Sequence, residues 1–219
     1  MTDLTTSPEK NEKGLDRIVA FSDAVFGFAI TLLVLALLEI PRPEANENIL
    51  ESFFGHWHAF LAFLVGFLTI FVCWLNHHHM YGHIRRADST LLWINGFLLL
   101  IITFTPLPTA ILAEFLDKEN HIGISLFGFT YFLIASFYYL TWSHAFNNRL
   151  TEEETDQQYL QCIKLTYRYA AVYTFITFWV CFVSTPVAIS LYGLMFLVFA
   201  FPKAFARKLQ QWKYQSSSA

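Results

Sequence analysis

The segment RIVAFSDAVFGFAITLLVLALLEIP, Arg17 to Pro41, is apolar for most of its length, yet it holds Arg17, Ser22 and Asp23 at one end and Glu39 at the other. As a helix it would run about 36 Å, enough to cross the hydrocarbon core of a bilayer. A carboxylate placed even partly in lipid costs roughly 3 kcal/mol, so Asp23 has to face protein or water and find a partner. Along the helix, Phe21, Val25, Phe28, Leu32, Leu35 and Glu39 recur at alternating spacings of 4 and 3 and form one stripe, with Thr31 beside it. The small residues Ala24, Gly27 and Ala29 would let other helices come close. Such stripes pack helices together more often than they line pores. Glu39 at the stripe's end, where a ring of carboxylates would attract cations, and Asp23 on a different face favour the pore reading here.

The rest of the chain fits a membrane setting. Of 219 residues 55% are hydrophobic, 24 are Phe and only 14% are charged, too apolar for a soluble domain of this size. The composition predicts an all-α integral membrane protein in the lipid bilayer of the cell, with no nucleic-acid partner. Cys73, Cys162 and Cys181 are scattered and read as buried small hydrophobes, with neither a disulfide framework nor a zinc spacing. The first apolar run is too long for a signal peptide and is expected to stay in the mature protein.

Taken in order, residues 1–14 read as a solvated tail, 15–202 as the transmembrane domain and 203–219 as a basic tail. After the first span, Phe53 to Leu75 form a second that ends in Asn76, His77, His78 and His79, and Leu91 to Thr105 a third, closed by Pro106 and Pro108. A short piece, Thr109 to Leu116, is expected near the interface. Ile122 to Phe146 give a fourth span, Asn147 to Gln161 a charged connection, and Tyr167 to Ser184 with Val187 to Phe201 a helical hairpin around Pro186. Six transmembrane helices put both termini on one side. All lysines and arginines except Arg42 and Lys118 then share that side, which the positive-inside rule makes cytoplasmic.

Chemistry-bearing residues are few. The inner end of the second span clusters Trp74, His77, His78 and His79, with His83 just beyond, at the depth of Asp23, so an Asp23–His77 contact is expected. These two could form the protonation relay of a proton-coupled secondary transporter. His79 with His83, or His77 with His144, are the pairs a metal or haem would need, but the repeated histidine boxes of membrane metalloenzymes are missing. No phosphate loop or nucleophile elbow marks an enzyme, no catalytic residue or cofactor is expected, and the Thr-Val-Gly-Tyr-Gly potassium filter is absent.

Three motifs in order carry a resemblance: Arg17-x-x-x-Phe21-Ser22-Asp23, Trp74-x-x-His77-His78, and Asp88-x-x-Leu91-Leu92-Trp93-x-Asn95 running on to Pro106-x-Pro108-Thr109. Together they resemble the transmembrane protein 175 family of lysosomal and prokaryotic potassium channels, whose signature is R-x-x-x-F-S-D, here in its single-repeat prokaryotic form. The resemblance implies a homotetramer of six-helix subunits whose first helices line a central pore for potassium ions. It implies a hydrophobic constriction at Phe28, Leu32 and Leu35, with Thr31 adjoining, serving as filter and gate. Phe28 departs from the branched aliphatic that the family pattern places at that ring. Arg17, Ser22 and Asp23 would anchor the pore helix through Trp74, His77 and Asn95.

Overall fold

The structure, a computed structural model, describes residues 8–38, 40, 48, 54–114, 121–152, 155–201, 208, 210 and 211. Helix α1 spans Pro8–Leu38, α2 Trp57–Tyr81, α3 Ser89–Phe104, α4 Pro106–Glu114, α5 His121–Asn147, α6 Gln157–Val180 and α7 Thr185–Ala200. Among the described residues β pairing is confined to one isolated bridge, Ile84 with Thr151. The stretches Gly14–Leu35, Trp57–Tyr81, Ser89–Glu114 and His121–Asn147 are long and apolar enough to cross a membrane by length and composition. Helix α6 is less apolar and α7 is only 16 residues long.

Helix ends follow local chemistry. Pro8 opens α1, several residues ahead of the Gly14 boundary expected for the tail, because proline has no N–H to leave unpaired in a first turn. Asp88 caps α3 by accepting the Leu91 N–H at 2.8 Å. The expected gap between the third span and its short follower narrows to Thr105, and α4 restarts at Pro106, so Ser89–Glu114 is almost one rod. Helix α4 packs on α2 and α5, burying Pro108, Thr109 and Ala113. Helix α6 begins ten residues before the expected Tyr167, because Asp156 accepts the Gln158 N–H at 2.9 Å and Leu160 and Ile163 already lie on a buried face.

Helix α1 lies on α2 and α3, α3 on α5, α5 on α6, and α7 on α6 and α2. The main core joins α1, α2, α3, α5 and α6 through Phe26, Ile70, Met80, Leu98, Trp142 and Leu160, all buried. The Trp142 indole N–H donates to the Leu160 carbonyl at 3.2 Å. A second, smaller core of Ile124, Phe127, Cys181, Ala188 and Tyr192 holds α5 to the α6–α7 turn. At the end of the bundle rich in arginine, the α2–α3 and α5–α6 connectors pair. The Arg85 N–H donates to the Leu150 carbonyl at 2.8 Å and the Glu152 N–H to the His83 carbonyl at 3.0 Å. Arg85 also ion-pairs with Glu152, and Arg86 donates to the Arg149 carbonyl at 3.1 Å. The Arg85 guanidinium, helped by the Thr155 hydroxyl, holds the Glu152 carboxyl below its ordinary value.

Candidate functional site

Helix α1 has two apolar faces with different surroundings. Leu15, Ile18, Ser22, Phe26, Ala29 and Leu33, spaced by 3 and 4, are buried against α2 and α3. Leu33 seats against Gly66 of α2, where an added Cβ would stand 3.0 Å from the leucine side chain, so the glycine lets the two helices meet closely. The stripe singled out in the sequence lies on another face: Phe28 is 64% exposed, Leu35 51% and Leu32 42%, and Val25 is half-buried. Thr31 is also exposed, its hydroxyl donating to the Phe28 carbonyl at 2.8 Å. Glu39 lies outside the described residues.

A polar network sits inside the packed face. Ser22 is fully buried and donates to the Ile18 carbonyl at 2.8 Å, while its oxygen accepts the Asn95 amide N–H at 3.0 Å. With its nitrogen so engaged, Asn95 offers Oδ1 to His77 at 2.9 Å, which makes Nε2 the protonated nitrogen of that imidazole. The His77 ring is fully buried, stacked on Tyr81 at 4.3 Å and meeting Phe26 edge-on at 5.3 Å. A chain of hydrogen bonds thus runs from α1 through α3 to α2.

Asp23 points elsewhere. It is half-buried and accepts the Trp74 indole N–H at 2.9 Å, so the hydrogen bond expected from His77 is supplied by the tryptophan one turn earlier on α2. Trp74 is itself stacked between Phe71 and His78, at 5.9 and 5.5 Å. The Arg17 side chain is exposed and takes no part in these hydrogen bonds.

The remaining histidines are dispersed. His79 and His83 meet edge-on at 5.1 Å, and His144 bonds both Asp88 oxygens at 2.8 and 3.0 Å. His77 and His144 therefore have separate partners, and among the described residues no group of three or more His, Cys, Asp or Glu is arranged to hold a metal. Burial would raise the Asp88 carboxyl, but the Leu91 N–H and the His144 ring outweigh it and hold the group below its ordinary value. Sequence reading missed this pair. Asp88 standing before Ser89-Thr90-Leu91 is a legible helix N-cap pattern, which gives the cap but not the histidine.

Residues 17–106 match the family described as endosomal/lysosomal potassium channel TMEM175. A potassium channel of Chamaesiphon minutus is 33% identical over 201 residues, which cover 90% of this chain and 98% of that protein. A potassium channel of Streptomyces collinus is 29% identical over 194 residues, covering 87% and 93%. The crystal structure of a lysosomal potassium-selective channel TMEM175 homolog from Chamaesiphon minutus superposes with a TM-score of 0.73 at 30% identity, over 89% of this chain and 98% of that one.

Proposed function

Because this chain belongs to the TMEM175 potassium-channel family, as a multi-pass membrane transport protein and not an enzyme, we propose that it conducts potassium ions through a central pore lined by α1 from four subunits. In this reading each subunit crosses the membrane six times, with α6 and α7 as the last two spans and both termini cytoplasmic. The distribution of lysine and arginine supports that orientation.

One observation carries the proposal: Phe28, Leu32 and Leu35 share a face of α1 that the subunit leaves open, while Phe26, Ala29 and Leu33 on another face are buried against α2 and α3. Apolar side chains ringed about an axis offer a cation no oxygen ligands, so the ion keeps much of its water or meets a large barrier. Potassium gives up hydration more readily than sodium and passes such a neck at lower cost. When the neck narrows further it dewets and closes, so the same residues act as filter and gate. Thr31 adjoins the neck, and Glu39 concentrates cations at its outer mouth. Ser22, Asp23, Trp74, His77 and Asn95 fix the helix in place, with Arg17 beside them at its inner end.

The test is ion flux into liposomes holding the purified protein. Potassium uptake exceeding sodium uptake is expected, and Leu35→Ala should raise the sodium leak several-fold by widening the neck. Unchanged selectivity in that variant removes Leu35 from the filter. No cation flux at all from correctly assembled protein rejects the channel reading.

A further inference from the structure

Helix α7 is the least embedded element, with only Ala188 and Tyr192 buried among its 16 residues. A cavity of about 310 Å³ lies between it and α2, α4 and α5, walled largely by apolar side chains such as Leu68, Phe127 and Phe196. A second cavity of about 50 Å³ adjoins it and reaches Asn76. Thr69, Tyr131 and Phe196 stand in the walls of both, and the Thr69 and Tyr131 hydroxyls bond one another at the junction.

Asn76 is 2% exposed. Its amide nitrogen donates to the Val72 carbonyl at 2.8 Å and to the Phe199 carbonyl at 2.9 Å. Two carbonyl acceptors fix the orientation of the amide, since the flipped form would set oxygen against oxygen. The Asn76 Oδ1 is therefore an acceptor, and it meets no donor among the described residues. Such a group is unfavourable in any protein interior, and the more so where the surroundings are lipid.

We propose that the paired cavities bind a single-tailed amphiphile drawn from the bilayer, a long-chain alcohol. Its tail lies in the larger chamber beneath α7 and its hydroxyl donates to Asn76 Oδ1. The apolar walls suit any hydrocarbon, so the acceptor supplies the selection. An ionised carboxylate or a phosphodiester has no proton to give it. The space beside Asn76 also suits a hydroxyl and is too small for a lipid headgroup. The bound tail would press on α7, which is tied to α2 through the Phe199 carbonyl.

The experiment uses the full chain in liposomes, a long-chain alcohol with a diazirine in its tail, and the matching alkane without the hydroxyl. Cross-links are expected on Leu68, Tyr131 and Phe196, with the alcohol favoured about fivefold over the alkane, the ratio one net hydrogen bond gives. Gly193 lines the larger cavity, and a Cβ added there meets nothing within 4 Å. Gly193→Leu should therefore fill the chamber without disturbing the fold and remove the labelling. Labelling spread evenly onto outward-facing residues such as Trp179 would overturn the proposal. So would equal labelling by both probes, or undiminished labelling of a folded Gly193→Leu protein. None of these readouts depends on ion conduction, so the result is separable from the channel reading.

Discussion

Asn95 joins three helices because a primary amide has a donating and an accepting end. Replacing it with alanine strands the buried His77 N–H and leaves the Ser22 oxygen without its donor, a loss of about 2–4 kcal/mol. Ser22→Ala leaves one Asn95 N–H unmatched and should cost less, about 1–2 kcal/mol. Melting of the two variants in detergent gives the order, and equal melting would show that the His77 bond contributes nothing. Asp88 supplies a pH dependence. Its folded carboxyl is held below the ordinary value of 3.8, so its contribution is complete above that pH and is lost as the pH falls through the depressed value. Wild type and Asp88→Asn should therefore differ in stability at neutral pH and converge in strong acid. The participants Ser22, Asp23, Trp74, His77 and Asn95 were legible in the motifs, but their pairing was not. A motif gives neither the rotation of α2 about its axis nor the reach of an indole against an imidazole, and these give Asp23 to Trp74 and His77 to Asn95.

At the scale of elements, the α5–α7 contact is set by Gly128. A Cβ added there would stand 2.5 Å from the Tyr192 hydroxyl and 3.1 Å from the Cys181 sulfur, inside the smaller core. Gly128→Ala should destabilise the protein by about 1–3 kcal/mol through overpacking. Adding Tyr192→Phe removes the nearest atom and should recover part of the loss, so a double-mutant cycle on melting temperature checks the contact. Helix positions were readable where hydropathy was uniform: α5 matches its expected span to within a residue at either end. They were misread where polar residues share a helix with a buried face. Around Leu160 and Ile163, flanking charged residues hid the start of α6, whereas the second span, expected to end in His77, His78 and His79, stops only two residues later at Tyr81.

Over the whole molecule, large apolar side chains face outward on most helices, Trp93 at 71% and Ile122 at 74% exposure among them. Most such surface belongs against lipid, and hydropathy alone cannot separate it from the α1 face assigned here to the pore. The proposed tetramer makes the distinction measurable: the solubilised particle should contain four subunits of 25.4 kDa each, by light scattering corrected for detergent. A monomer would leave the α1 stripe as ordinary lipid-facing surface. The paired connectors also bear on how the protein is made. Arg85 and Glu152 are 67 residues apart, and a ribosome adding 5–20 residues per second needs roughly 3–13 s to cover that distance. Until then the first three helices, complete at residue 104, exist without the clamp that later closes their end. The Ser22–Asn95–His77 chain is complete once residue 95 has emerged, so the nascent amino-terminal trio carries its own fastening into the membrane.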